Sequence, residues 1–133
     1  MNITNKLAPI GLATLWIAFS EFIRNQVLFS SYWTDHYSKL GVVFPAKPIN
    51  GMVWGLWSLV FAICLYTLST KFTAKQTLAL GWTIGFVLMW LVIGNLGVLP
   101  YKLLIFAIPL SVLEVFVAVW IIKRLGHQPS ERK

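Results

Sequence analysis

Apolar positions fall in four long blocks, at about 7–29, 52–68, 76–98 and 103–122, with short polar stretches between them. A helix needs about 20 apolar residues to cross the hydrocarbon of a bilayer. Backbone groups in lipid must pair within their own segment, so blocks of this length read as helices and not as isolated strands. No alternating pattern of the barrel kind is present. The pattern predicts an all-α integral membrane four-helix up-down bundle, a single domain spanning residues 1–133, with a polar, disordered tail at 127–133. The first block is too long for the apolar region of a signal peptide, and no A-x-A-like site follows it. Glu21 and Arg24 stand where a cleavage region would be small and neutral, so this block is expected to remain as a helix.

The connections differ in character. Residues 30–50 form a long loop carrying Tyr32, Trp33, Tyr37 and Phe44, with Asp35, His36, Lys39 and Lys47. Pro45 and Pro48 hold its last part extended, and its Trp and Tyr favour the headgroup zone, so it is expected along the membrane surface. A short basic turn at 70–75 follows. A tight turn at 97–102 contains Pro100, which stops one helix before the next.

Composition agrees with this. Charged residues make up only 11% of the chain, hydrophobic residues 58%, and the mean hydropathy is +0.75. A soluble fold of this size would lack the polar surface to cover so much apolar side chain. The net charge of +7 does not point to nucleic acid, because the Lys and Arg residues sit singly or in pairs between apolar runs. They mark membrane edges instead. With an even number of spans, seven (Lys6, Lys71, Lys75, Lys123, Arg124, Arg132, Lys133) share the side of the termini, against four (Arg24, Lys39, Lys47, Lys102) on the other. That bias predicts cytoplasmic termini, and the expected location is a bacterial cytoplasmic membrane.

Cys64 is the only cysteine and lies inside an apolar run, so no intrachain disulfide and no Cys/His metal cluster can form. Motifs for nucleotides, dinucleotides and zinc are missing, as is the nucleophile elbow. No cofactor and no metal site is expected.

Membrane helices associate through small and polar residues, and each block carries a stripe of them at helical spacing. The stripes are Gly11, Thr14, Ala18, Glu21 and Asn25; Gly51, Gly55, Ser58 and Ala62; Gly81 and Gly85, with Asn95 returning to their face; and Ala107, Ser111, Glu114 and Ala118. Phe61, Phe116, Val117 and Trp120 fall mostly off the stripes. Close packing accounts for the glycines and alanines. The charges need more, since one at membrane depth costs roughly 2.5–3.5 kcal/mol even on the lenient scale. Glu21 and Arg24, three apart, can pair on one surface. At ~1.5 Å per residue, Arg24 and Asn95 lie ~9–12 Å outside the midplane, Glu21 ~4–5 Å outside and Glu114 ~3 Å inside. Glu21, Arg24, Asn25 and Asn95 are therefore expected to form one polar layer, with Glu114 beneath it and beyond the easy reach of Arg24. Pro109 removes a backbone hydrogen bond near Glu114, freeing a carbonyl for the acid, Ser111 or water. Trp54, Trp57 and Phe61 share a helical face, and Trp90 lies at similar depth. They form either an interfacial belt or the wall of a pocket able to hold a cation over aromatic rings.

The leading functional expectation is a small membrane protein, alone or as a homodimer, that binds or transports a hydrophobic or cationic small molecule. Glu114 would exchange protons or hold a cation at the floor of an outward-open cavity, with Glu21, Arg24 and Asn95 at its mouth. The alternative is a non-catalytic accessory subunit packed on a larger membrane partner, its polar stripe being structural. A lipid-modifying intramembrane enzyme ranks last, because no nucleophile or metal set accompanies the carboxylates.

Overall fold

The structure, a computed structural model, describes residues 4–126; the polar tail expected at 127–133 lies outside the described residues. All regular structure within that range is helical. Helix α1 (Thr4–Phe22) runs on through a π-helical turn (Ile23–Leu28), and a short helix α2 (Ser30–Lys39) follows. Helix α3 (Pro48–Ser69) and helix α4 (Ala74–Trp82) come next. A second π turn (Thr83–Val87) joins α4 to α5 (Leu88–Asn95), and a 3₁₀ turn (Tyr101–Leu103) leads into α6 (Leu104–Gly126). Four continuous helical stretches, Lys6–Leu28, Pro48–Ser69, Ala74–Asn95 and Tyr101–Gly126, are long and apolar enough to cross a bilayer. Around their girth large apolar side chains point outward, among them Leu15, Phe19, Met52, Leu91, Ile105 and Trp120. Water would penalise so continuous an apolar surface, whereas lipid matches it. The chain is an integral membrane protein with the architecture of a four-helix bundle.

Helix ends follow local chemistry. The second span begins four residues before its apolar block, at Pro48, because proline is well suited to a first helical position. There the Lys47 amide donates to Asn50 Oδ1 at 3.1 Å. Thr73 and Gln76 close a reciprocal capping box at the start of α4. Helices α2 and α5 end in the same way. Gly41 and Gly97 adopt a φ of +74°, and the amides around them bond back, Gly41 to Ser38 and Val42 to Tyr37, Gly97 to Gly94 and Val98 to Ile93. Both are Schellman caps, which need the left-handed conformation that glycine takes without penalty.

The core is densest toward the end that carries both termini and the α3–α4 turn. There Ala13, Ile17, Ala62, Leu65, Val115, Ala118 and Ile122 are buried together. Gly81 and Gly85 let the third span approach α3 closely; a Cβ on the first would meet Leu65 and one on the second the Phe61 ring. Lys123 Nζ donates to the carbonyls of Ser69 (2.6 Å) and Phe72 (2.8 Å), binding α6 to the α3–α4 turn. The stripes read as the inward faces hold only in part. Phe61 is buried, while Gly11 and Gly51 are exposed and Gly55 has nothing within 4 Å of a built Cβ. The buried face of the first span is instead Pro9, Ala13, Ile17, Glu21 and Arg24, which shares only Glu21 with the small-residue stripe.

The residues read as a long loop contain helix α2, which folds back across the open end of the bundle. Phe29, just before it, stacks on Phe106 of α6. His36 Nε2 donates to the Gly97 carbonyl at 2.8 Å, tying α2 to the α5–α6 turn. Beyond Gly41 the chain has no regular secondary structure as far as Ala46.

Candidate functional site

The site is centred on three charged side chains at membrane depth. Glu21 stands on α1 and Arg24 one turn on, in the π turn that continues it, and Glu114 sits mid-span on α6. All three are inaccessible or nearly so: Glu21 and Arg24 are 5% exposed and Glu114 is 0%. Arg24 bridges the two acids. Its Nη2 donates to Glu21 Oε1, and its Nη1 donates to Glu114 Oε2 at 2.9 Å. The guanidinium also lies 5.1 Å from the centre of the Phe86 ring, near enough for a cation–π contact.

The pairing of Arg24 with Glu114 overturns the expectation that the two would be separated by depth. That expectation placed each residue at the level of its Cα. Side chains on a helix lean toward its N-terminus, and α1 and α6 run in opposite directions. Arg24 therefore leans toward the membrane centre and Glu114 leans back toward Arg24, so the gap closes from both sides.

Glu114 has further partners on α1. Ser20 Oγ donates to its Oε2 at 2.8 Å, and Trp16 Nε1 donates to its backbone carbonyl at 2.9 Å. Its Oε1 has no hydrogen-bond partner among the described residues. Two carboxyls thus share one guanidinium. With both ionised the cluster carries one net negative charge, and one proton or one added cation makes it neutral.

Asn25 extends the network outward. Its Nδ2 donates to Glu21 Oε2 (2.7 Å) and to the Glu21 carbonyl (3.2 Å), and its Oδ1 accepts from Trp33 Nε1 of α2 at 3.0 Å. Above the cluster lies a cavity of about 330 Å³. Glu21, Arg24, Asn25 and Gln26 form its polar end, and Trp54, Met89, Trp90, Ile93, Val98 and Leu103 form its walls. Trp33 and Tyr37 of α2, with Phe44, roof it. Phe44 stacks on Trp33 and meets Tyr37 edge-on, so the helix and the link after it form one aromatic cover. A second hollow of about 390 Å³ runs between α1 and α3. It is lined by Ala18, Phe22, Gly51, Trp54 and Gly55, with the link from Pro45 to Pro48, and it shares Glu21, Asn25, Gln26, Asn50 and Trp54 with the first.

The structure thus brings together Glu21, Arg24, Asn25, Trp54 and Trp90 of the residues singled out from sequence. Glu114 belongs to the cluster but lies behind Arg24 and lines neither hollow. The expected cavity floor on Glu114 is therefore replaced by one on Glu21 and Arg24. Trp57 packs inward, against Phe61 and Phe86. Ser111 is fully buried, donating to the Ile108 carbonyl and accepting from Trp82 Nε1 at 2.9 Å. It fastens α6 to the third span and does not touch the acids through any hydrogen bond.

Asn95 is exposed and lines neither hollow, so it does not join the polar layer. The π turn at Thr83–Val87 explains this. It adds one residue to a single turn, so the face holding Gly81 and Gly85 continues through Met89 and Ile93, which line the cavity, and Asn95 is turned off it. Sequence reasoning passed over Ser20, Trp33 and Phe86. Ser20 lies four residues before Arg24, on the same helical face, and was the one most open to notice.

No protein-family model matches this chain, and no similar protein was found among curated proteins or among solved structures.

Proposed function

We propose that this protein binds a hydrophobic small molecule, or a cation borne on an apolar body, taken from the membrane into the cavity beneath α2, and that it serves in that molecule's transport. The observation that carries the reading is the cavity's make-up: aromatic and aliphatic walls closing on Glu21 and Arg24. Its size falls within the range of small-molecule sites, which are concave, mostly apolar and fixed by a few polar groups. The second hollow supplies a route from the side, because Gly51 and Gly55 leave open space between α1 and α3. The charge count favours a cation, since the cluster has one carboxyl more than its guanidinium can neutralise. In this reading the termini are cytoplasmic and α2 lies on the outer face of a bacterial cytoplasmic membrane. With Arg24 inside the cluster, the α2 side holds only Lys39, Lys47 and Lys102, against seven basic residues on the terminal side.

The test is binding of tetraphenylphosphonium to the purified protein in detergent, followed by tryptophan fluorescence. Saturable quenching is expected, weakened about tenfold or more by Gly55→Phe, which fills the lateral hollow, and by Trp54→Ala, which removes a wall shared by both spaces. Non-saturable quenching that is identical in the wild type and both variants would show mere partitioning into the detergent and refute the reading.

A further inference from the structure

Asn25 is the only described side chain hydrogen-bonded both to the charged cluster and to α2, and its amide fixes the direction of each bond. The indole N–H of Trp33 can only donate, so Asn25 must present Oδ1 to it. Nδ2 then faces Glu21 Oε2, and because an amide nitrogen can only donate, that oxygen accepts, most strongly when it is an ionised carboxylate oxygen. We propose that Asn25 is a positioning residue that latches α2 over the cavity only while Glu21 is unprotonated at Oε2. A proton taken up from water at that oxygen replaces the charged acceptor by a weaker neutral one and sets an O–H donor beside the amide donor. The amide then either turns away, losing Trp33, or flips its NH₂ toward the indole N–H, which also breaks the tie. The one new covalent bond is O–H, and nothing is oxidised or reduced.

The surroundings of Glu21 leave few other controls. On its own helix it meets Arg24 and Asn25, and from α6 Glu114 competes for the same guanidinium. From the α2–α3 link Lys47 lines the hollow that Glu21 also lines, and Tyr37 of α2 lines the cavity. The faces contributed there by α3 and the third span are Asn50, Val53, Trp54, Met89, Trp90 and Ile93, which do not titrate. Glu114 Oε1 is an oxygen that can accept a proton without displacing a donor. A proton held there leaves Glu21 ionised and the latch closed, while one on Glu21 opens it. His36, the other polar tie of α2, donates to the Gly97 carbonyl through Nε2, a bond that survives protonation of the ring.

The test reads access to the cavity, not ligand binding, so its failure would leave the binding proposal standing. Met89, which lines the cavity, is replaced by cysteine in a Cys64→Ala, His36→Gln background; the glutamine keeps a donor for Gly97 and removes the imidazole titration. The labelling rate by a membrane-impermeant methanethiosulfonate is measured across pH and divided at each pH by the rate of a free thiol, because only the thiolate reacts; all rates below are these corrected rates. Slow labelling at neutral pH is expected to rise about tenfold or more on acidification, the population shift expected from losing one charge-assisted hydrogen bond. Asn25→Leu and Trp33→Phe should label fast at every pH. Glu21→Gln should do the same, because its carbonyl oxygen is claimed by Arg24 and its amide nitrogen then faces Asn25 as a second donor. Glu114→Gln leaves Glu21 paired with Arg24 and should stay slow at neutral pH. That contrast separates latching from general damage to the cluster. Equal rates in Glu21→Gln and Glu114→Gln, or a wild-type rate indifferent to pH, would overturn the proposal.

Discussion

Replacing Arg24 by methionine removes a cation while keeping much of its apolar stem. Two charge-assisted hydrogen bonds disappear, to Glu21 Oε1 and Glu114 Oε2, along with the contact over Phe86. Hydrogen bonds to charged groups contribute about 1.5–3 kcal/mol each, and removing one partner of a buried ion pair costs about 3–5 kcal/mol, because the other charge is left buried and unmatched. A loss of at least 3 kcal/mol is therefore expected, about a hundredfold or more in the folded-to-unfolded ratio. The triple replacement Glu21→Gln, Arg24→Met, Glu114→Gln removes the charges together and should recover most of that loss, since buried ion clusters often add little over neutral groups of similar volume. Lys102→Ala, at an exposed position in the α5–α6 turn, is the control and should stay within about 0.5 kcal/mol of wild type. Equilibrium unfolding in mixed micelles, followed by circular dichroism, gives all three values. An Arg24→Met variant as stable as Lys102→Ala would mean that water solvates the acids and that no shared buried pair exists. A triple variant no better than Arg24→Met would mean that the loss comes from packing and not from charge.

A reporter domain fused after Lys133 should be scored cytoplasmic and one inserted at Lys39 external, by alkaline phosphatase and fluorescent-protein fusions; the reverse pattern would invert the proposed orientation of the cavity. Gly85→Ala should destabilise the bundle by about 1–3 kcal/mol, because a Cβ there would sit 2.5 Å from Phe61 Cζ. Gly11→Ala, with nothing within 4 Å of a built Cβ, should be neutral or slightly stabilising in the same unfolding measurement. Equal losses in the two glycine variants would count against the packing described.

The spans were legible because each depends on a property that hydropathy reports directly: an apolar run as long as the bilayer is thick. Helix α2 was not. Its Ser, Thr, Asp and His residues have modest helical preference, and its observed partners, Asn25, Gly97 and Phe44, lie outside it. The candidate site divided along similar lines. Glu21 with Arg24 followed from spacing on one helix, and Trp54 and Trp90 from depth. Glu114 was picked out by its depth, but its partner was misjudged, because the lean of side chains on antiparallel helices is absent from a count of residues along an axis. Asn95 was misplaced by a π turn, whose single extra residue rotates everything after it. Gly51 and Gly55 look like packing glycines and instead border empty space, a distinction that only neighbouring helices can reveal.

Lys123 sets the fulcrum of the bundle. By clasping two carbonyls at the α3–α4 turn it joins the terminal ends of α3 and α6 where the core is already dense. The opposite ends of the same helices border hollows and meet through side chains of α2 and its link. Helices clasped at one end and bordering hollows at the other have the geometry of the arms of tongs, free to part only at the hollow end. A rotation too small to disturb the contacts around Leu65 and Ile122 is magnified by the length of the span before it reaches Trp54 and Trp33, so the volume beneath α2 can change without repacking the core.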